Sequence, residues 1–267
     1  AGHQRRGRAN YWTDRACCRQ TRDRTCQLTR TAPGTAVFMN PMTDAAHSHL
    51  PIVVLISGRG SNLDAILDAI DAGTLPVEVR AVISNRPDAP GLQRPALQGI
   101  RTIVIDHACH HDRAAFDRAL QLTIDTLEPE LLVLAGFMRI LTPGFVEHYR
   151  GRMLNIHPSL LPDFPGLHTH RRAIEAGRKE HGASIHFVTE AVDGGPVVLQ
   201  ARVPVYADDT EETLAARVLE QEHRIFPLAI KWFAEQRLTL DDRDRILFDG
   251  QPLLHPKELT AETCAPC

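Results

Sequence analysis

Two polar side chains near the middle of the chain have the types and the spacing needed to stabilise negative charge on oxygen. Asn155 and His157 are two residues apart, and side chains two apart in a strand project to the same face. An amide N–H and an imidazole on one face can both donate to a developing oxyanion, and the imidazole can also supply a proton. Pro158 and Pro162 stiffen the following loop. This pattern favours a catalytic site over a buried structural histidine.

A glycine-containing segment earlier in the chain has the features of a phosphate site. Residues 57–62, Ser-Gly-Arg-Gly-Ser-Asn, follow the first predicted strand and open the first predicted helix, where backbone N–H groups bind anions. A dinucleotide site needs a third glycine where Leu63 stands, and an acidic residue where Ser84 and Asn85 end the second strand. The segment therefore favours the phosphate of a mononucleotide-like substrate. A plain tight turn capped by Asn62 is the alternative.

Four further histidines, His168, His170, His181 and His186, lie downstream of His157. A zinc site needs a spaced set of ligands with compatible geometry, and neither a cysteine nor a His-Glu-x-x-His pattern completes one. We therefore predict that the protein uses no metal.

Continuous apolar runs alternate with amphipathic segments after Pro51. Such runs are typical of strands that helices cover on both faces. The alternation predicts an α/β fold with an open, mostly parallel, doubly wound sheet and helices on both faces. The predicted strands are Ile52–Ile56, Val77–Ile83, Thr102–Ile105 and Leu131–Ala135, and the predicted helices are Asn62–Ala72, Asp88–Gln98 and Asp112–Leu127.

The second half of the chain predicts two more strands and one long helix. Ser184–Thr189 and Val197–Val205 are the strands, and a turn signal at residues 193–196 joins them. The helix runs from about Asp209 to Gln236, with Asp208 or Asp209 as its N-cap. Pro227 is expected to kink or break it.

Composition excludes several classes of protein. Of the 267 residues, 43% are hydrophobic and 24% are charged, and no apolar stretch approaches the ~18 residues that cross a bilayer. Residues 1–38 contain eight Arg, two Asp and no Lys or Glu, so with a net charge of -3 the rest of the chain is strongly acidic. An acidic body is poorly suited to nucleic acid. Cysteines concentrated near the two ends predict reduced thiols in a cytoplasmic protein.

Three regions follow from these patterns. Residues 1–50 form a basic extension without periodicity, whose first 38 residues either precede the biological start or serve as a targeting segment. Residues 51–250 form the catalytic domain. Residues 251–267 are predicted to be a loose tail.

Several motifs of this domain, taken together, resemble the folate-dependent phosphoribosylglycinamide formyltransferase family. The similarity is colinear over about residues 51–250. The segments that carry it are Val53–Asn62, Leu134–Leu141, Asn155–Pro162, Pro165–His170, His186–Thr189 and Asp193–Pro196. The resemblance implies a Rossmann-like formyltransferase fold. It also implies transfer of a formyl group from 10-formyltetrahydrofolate to the amine of phosphoribosylglycinamide, in purine (IMP) biosynthesis.

The resemblance also implies roles for individual residues. Asn155, His157 and Asp193 match the catalytic trio. The positions that match contacts to the phosphorylated substrate are Gly60, Ser61, Asn62, Leu219, Glu220, Gln221 and Glu222. The positions that match the folate side are Arg113, Met138, Arg139, Ile140, Leu141, Asn155, Thr189, Glu190, Ala191, Val192 and Asp193.

Chemistry agrees with the implied trio. A carboxylate at Asp193 favours a protonated His157 and can accept the amine proton through water, although a turn-forming aspartate is the alternative. The reaction needs no metal and no covalent enzyme intermediate, and the partners are small molecules, with no nucleic acid and no membrane. We expect a monomer or a homodimer.

Three other functions are weighed against this one. Methionyl-tRNA formyltransferase shares the Asn155–Pro162 pattern but carries a further domain for tRNA, and formyltetrahydrofolate hydrolase carries a ligand-sensing domain ahead of its catalytic part. A noncatalytic folate or nucleotide module is the third. The presence of Asn155, His157 and Asp193 together disfavours it.

Overall fold

A computed structural model describes residues 49–259 of the chain. Strands and helices alternate through its first half, as the apolar runs predict. The elements are β1 (Leu50–Ile56), α1 (Ser61–Asp71), β2 (Val77–Ser84), α2 (Gln93–Leu97), β3 (Thr102–Val104), α3 (Arg113–Asp125), β4 (Leu131–Leu134), α4 (Pro143–His148) and β5 (Met153–His157). Short 3-10 turns at Pro90–Leu92 and His107–Cys109 precede α2 and α3.

The second half changes to antiparallel pairing and then to the long helix. Its elements are α5 (Thr169–Glu175), β6 (Glu180–Phe187), β7 (Val197–Pro204), α6 (Glu211–Ala234), β8 (Leu238–Leu240), β9 (Ile246–Phe248), β10 (Gln251–Pro252) and β11 (Lys257–Glu258). Strands β8, β9 and β10 form a small separate sheet.

Within residues 49–259, the main sheet has eight strands in the order β11-β7-β6-β5-β4-β1-β2-β3. Strands β3, β2, β1, β4 and β5 are parallel, whereas β6 is antiparallel to both of its neighbours. The chain builds outward from β1 to β3 and then returns to place β4 on the other side of β1. This reversal is the switch point beside which open α/β sheets bind ligands, and the predicted mostly parallel α/β fold is confirmed.

The core lies in two layers, one on each face of the sheet. Alternate residues of β1 pack in different layers of the core, because successive side chains of a strand point to opposite faces of the sheet. Ile52, Val54 and Ile56 pack in the layer that contains α1 and α6, while Val53 and Leu55 pack in the layer that contains α3 and α4. Burial on both faces explains why the strand is continuously apolar.

The long helix begins at Glu211, two residues later than predicted, and continues through its proline. Thr210 is the N-cap, and its side chain and that of Thr213 form a capping box. Asp209 instead pairs with Arg217 at 2.7 Å. Helix α6 is uninterrupted at Pro227, so the chain does not break there. The apolar face of α6 packs against the sheet, and this packing offsets the lost backbone hydrogen bond.

The C-terminal segment differs from the predicted loose tail as far as Leu259. Strand β11 pairs in parallel with β7 at the edge of the main sheet, and Arg202 binds Glu258 at 3.0 Å. The backbone of β7 provides the hydrogen-bonding partners for β11. A strand of two residues is too short to show a periodic pattern in the sequence, so it could not be predicted. Residues 1–48, with the basic extension, and residues 260–267 lie outside the described part of the chain. Within the described part, no helix is both long and apolar enough to span a membrane.

Candidate active site

The three residues of the predicted catalytic trio meet at one end of β5. Asn155 and His157 lie on β5 itself, and Asp193 lies in the loop between β6 and β7. The Nδ1 atom of His157 is 3.3 Å from Oδ2 of Asp193, and the two side chains are 7% and 12% exposed. The structure therefore brings an amide, an imidazole and a carboxylate together at the carboxyl end of a strand.

The loop that carries Asp193 is held tightly against the end of β6. Asp193 has a left-handed backbone conformation with φ of 50°, which aspartate tolerates better than most residues. A Cβ atom on Gly195 would lie 1.9 Å from the carbonyl oxygen of Phe187, so only glycine allows this approach. The turn at residues 193–196 therefore holds the Asp193 carboxylate beside His157.

Both ring nitrogens of His157 face oxygen acceptors. Nε2 lies 3.0 Å from the carbonyl oxygen of Phe164, and Nδ1 faces Asp193. The same carboxylate oxygen of Asp193 also accepts a hydrogen bond of 2.8 Å from the backbone N–H of Gly166. The imidazole of His157 is therefore held between two oxygen acceptors.

The predicted phosphate loop lies at the opposite side of the switch point, after β1. Gly60 has a φ of 82° and precedes the first residue of α1. A Cβ atom on Gly60 would lie 2.8 Å from Cα of Gly91, so this loop and the 3-10 turn touch backbone to backbone. Ser61 and Asn62 open the helix, whose N-terminal N–H groups are suited to an anion.

One residue of α6 reaches this loop. The Nδ2 atom of Asn62 donates a hydrogen bond of 2.7 Å to Oε2 of Glu222. Burial raises the pKa of Glu222, and the hydrogen bond from Asn62 partly opposes that rise. Of the neighbouring α6 residues, Glu220 is exposed and Gln221 accepts a hydrogen bond from Arg224. The structure thus joins Glu222 to the predicted phosphate loop, whereas contacts by Leu219, Glu220 and Gln221 stay predictions.

The predicted folate side combines exposed apolar side chains with a fixed backbone. Met138, Ile140 and Val192 are 70%, 56% and 52% exposed, which is unusual for such residues and suits an apolar ligand face. The backbone N–H of Met138 donates to Oγ of Ser57, which in turn donates to Oδ1 of Asn85. This chain of hydrogen bonds joins the loops that follow β4, β1 and β2.

The remaining residues of the folate side occupy varied environments. Arg139 lies over the ring of Phe116 at 5.0 Å, Leu141 is buried, and Arg113 is exposed at the first turn of α3. Thr189, Glu190 and Ala191 lie in the partly exposed loop ahead of Val192 and Asp193. Their contacts with a ligand stay predictions.

The downstream histidines do not form a metal cluster among residues 49–259. His170 and His181 pack edge to face at 5.2 Å, and burial lowers the pKa of both, that of His181 to about 4. His186 lies beside Asn155 instead, with its Nε2 atom 3.0 Å from Nδ2 of the amide. No individual role is predicted for His186 from the sequence. The two residues lie on different strands, and spacing along the sequence does not show which residues of two strands face each other.

The fold and the clustered amide, imidazole and carboxylate define a doubly wound α/β protein with a candidate active site at the carboxyl end of β5. The chain belongs to the formyl transferase family, whose model, described as "Formyl transferase", matches residues 50–230. The resemblance found in the sequence is confirmed by these comparisons.

Individual relatives agree with the family assignment. The phosphoribosylglycinamide formyltransferase of Escherichia coli is 56% identical over 202 residues, which cover 76% of this chain and 95% of that protein. The enzyme of the same name from Haemophilus influenzae is 48% identical over the same coverage. Among solved structures, the phosphoribosylglycinamide formyltransferase of Coxiella burnetii superimposes with a TM-score of 0.76 at 51% identity, covering 79% of this chain and 99% of that one.

Proposed function

We propose that this enzyme transfers the formyl group of 10-formyltetrahydrofolate to the amine of phosphoribosylglycinamide. The products are formylglycinamide ribonucleotide and tetrahydrofolate, and the reaction is a step of purine (IMP) biosynthesis. The relatives named for this activity match along 95% of their own length, and the formyl transferase family uses formyl-folate and small-molecule substrates.

The contact between His157 and Asp193 at 3.3 Å, on the strand that carries Asn155, is the observation that supports this chemistry best. The amine attacks the formyl carbon, and a new C–N bond forms as the carbonyl oxygen becomes an oxyanion. Asn155 donates an N–H to that oxygen, and His157 donates a hydrogen bond or a proton to it. The tetrahedral intermediate then collapses, and the bond from the carbon to the folate nitrogen breaks.

Asp193 supports the same step at Nδ1, since the other ring nitrogen of His157 faces the carbonyl oxygen of Phe164. Its carboxylate lies beside Nδ1 of His157, where negative charge favours hydrogen on that nitrogen. It can also accept the proton that the amine loses, through a bridging water, and the same water can return that proton to the departing folate nitrogen. No covalent enzyme intermediate and no metal is needed in this scheme.

The two substrates are bound by different sets of residues. Gly60, Ser61 and Asn62 hold the phosphate at the start of α1, and Glu222 and its α6 neighbours contact the phosphoribosyl group. Arg113, residues 138–141 and residues 189–193 hold the folate. We further propose that the enzyme acts in the cytoplasm as a monomer or a homodimer, without nucleic acid or membrane partners.

The test is a formyl-transfer assay with both substrates, in which absorbance follows the release of tetrahydrofolate. Asp193→Asn keeps the shape of the side chain but removes its charge, so kcat should fall by roughly 10²–10⁴, the range for a lost general acid or base. Because the residues act as a unit, adding His157→Ala should cost little more than the worse single change. Independent, multiplicative losses would instead make Asp193 a turn former.

Asp249→Asn is the matched control for this substitution. Asp249 has the same φ of 50° as Asp193, but it binds Arg237 in the small sheet. Its change to asparagine should leave kcat within about twofold. A loss at Asp249 as large as that at Asp193 would contradict the assignment of the carboxylate.

A further inference from the structure

His186 is a buried histidine that the scheme above does not use. It lies on β6 directly opposite Asn155 in the antiparallel pair of β5 and β6, and its ring is almost fully buried. The register of β6 against β7 shifts between Ile185 and His186. Such irregularities re-aim side chains near active sites, and here the shift occurs at the residue that faces the proposed oxyanion donor.

The hydrogen bonds of the ring define where its proton lies. Nδ1 is 2.9 Å from the carbonyl oxygen of Phe187, and because a carbonyl can only accept, Nδ1 carries the hydrogen. Burial lowers the pKa of His186, so the ring is neutral near pH 7 and Nε2 holds a lone pair. Nε2 is 3.0 Å from Nδ2 of Asn155 and therefore accepts a hydrogen bond from it. Asp193 is farther from Nε2, at 3.7 Å.

This arrangement decides which way the amide of Asn155 points. An acceptor at Nε2 favours the NH₂ group facing His186, because a flipped amide would bring two acceptors together. The amide NH₂ has two hydrogens, and the bond to His186 takes one. The same hydrogen bond fixes the plane of the amide and therefore the direction of the second N–H of Asn155.

We propose that His186 is a positioning residue that fixes the amide of Asn155 with its N–H toward the oxyanion. The proposal rests on the function proposed above for Asn155. His186 does not touch the reacting atoms in this scheme, and it acts through the lone pair of its Nε2 atom. Its loss should therefore lower kcat without weakening the binding of either substrate.

Two amide substitutions separate the two ring nitrogens. In His186→Gln the longer side chain can place a carbonyl oxygen near Nε2 and accept from Asn155, whereas in His186→Asn the shorter side chain can replace only the donor at Nδ1. His186→Asn should lower kcat roughly ten- to hundredfold with the KM of each substrate changed less than about threefold. His186→Gln should stay within about fivefold of the unmodified enzyme. The reverse order of the two variants, or a loss that falls on KM, would overturn the proposal.

A double-mutant cycle of His186→Asn and Asn155→Ala tests the positioning role of His186 separately from the role of Asn155. In the Asn155→Ala background, His186→Asn should lower kcat by at most about a further twofold, because the amide that His186 orients is absent. If Asn155→Ala itself leaves kcat unchanged, the function proposed for Asn155 fails. If Asn155→Ala lowers kcat and His186→Asn lowers it by the same factor with and without Asn155, Asn155 keeps its role and the positioning proposal fails.

His181→Asn is the matched control for the cycle. His181 lies on the same strand and is 1% exposed, and the same substitution there removes a buried imidazole that packs on His170 instead. Its effect should multiply with that of Asn155→Ala. Equal coupling at His181 and His186 would show that a general loosening of β6, rather than the hydrogen bond, is responsible.

Discussion

At the scale of single residues, the site depends on polar pairs that are distant in sequence. Asn62 and Glu222 are separated by 160 positions but form a hydrogen bond of 2.7 Å. Both side chains are largely buried, and a buried carboxylate without a donor is costly. The pair therefore links α1 to α6 and fixes the carboxylate beside the proposed phosphate loop.

Asn62→Ala should weaken both the binding of the phosphorylated substrate and the fold. The lost donor contacts a part of the substrate remote from the amine, so the KM for phosphoribosylglycinamide should rise more than kcat falls. Leaving Glu222 without this partner should cost about 1–3 kcal/mol in the free energy of unfolding. Steady-state kinetics and urea unfolding at pH 7 measure the two effects.

Glu222→Gln supplies the control for that prediction. A neutral amide removes the buried charge, so the stability lost through Asn62→Ala should be smaller in the Glu222→Gln background. Equal losses in the two backgrounds would show that the hydrogen bond contributes little to stability.

At the scale of elements, the two loops after β1 and β2 are packed backbone against backbone. The N–H of Gly91 donates to the carbonyl oxygen of Gly58 at 3.0 Å. A Cβ atom at Gly91 would lie 2.9 Å from Cα of Gly60 and 3.0 Å from that oxygen. Neither is the flexible end of a side chain, so a larger residue must displace the loop itself.

Gly91→Ala should therefore disturb the phosphate loop without touching a substrate. We expect a loss of about 1–3 kcal/mol in stability, as in other overpacked sites, and a KM for phosphoribosylglycinamide raised roughly tenfold. Thermal unfolding and kinetics test both. Gly144→Ala is the control, because a Cβ there meets nothing within 4 Å and alanine should stabilise α4 by up to ~1 kcal/mol. An unchanged KM in Gly91→Ala would disconnect the packing of these loops from substrate binding.

At the scale of the whole molecule, buried histidines make stability depend on pH. Burial lowers the pKa values of His170, His181 and His186, that of His181 from 6.5 to about 4. The unfolded chain then binds protons at a higher pH than the folded one. This contribution to stability is complete above pH 6.5 and is lost as the pH falls toward 4.

His181→Gln should flatten this dependence. Glutamine is neutral at every pH, so its unfolding free energy should fall less between pH 7 and pH 4.5 than that of the unmodified protein. For a shift of the size seen at His181, the difference is about 3 kcal/mol at most. Urea unfolding at a series of pH values measures it. Parallel curves for the two proteins would show that His181 does not contribute to the acid sensitivity.

The sequence by itself determined the alternation of β1 to β4 with α1 to α3 and the presence of α6, because continuous apolar runs and helical periodicity are local signals. It also determined the pairing of Asn155 with His157, since two residues of one strand share a face. The predicted bounds Val77–Ile83 differ from those of the structure by one residue. The helix predicted from Asp88 begins as an α-helix only at Gln93, and the strand predicted from Ser184 begins at Glu180. The sequence did not predict the short elements α4, α5 and β8 to β11. Roles for Asp193 and Glu222 came only through the resemblance to a family.

Only the tertiary structure decided which distant residues meet. It brings Asp193 to His157, Glu222 to Asn62, His186 to Asn155, and β11 to the edge of β7. These contacts depend on the register of β5 against β6 and on how α6 lies across the sheet. A slip of one residue in a strand turns every side chain to the other face. Register is settled by packing across the whole sheet, so no local pattern in the sequence could have specified these pairs.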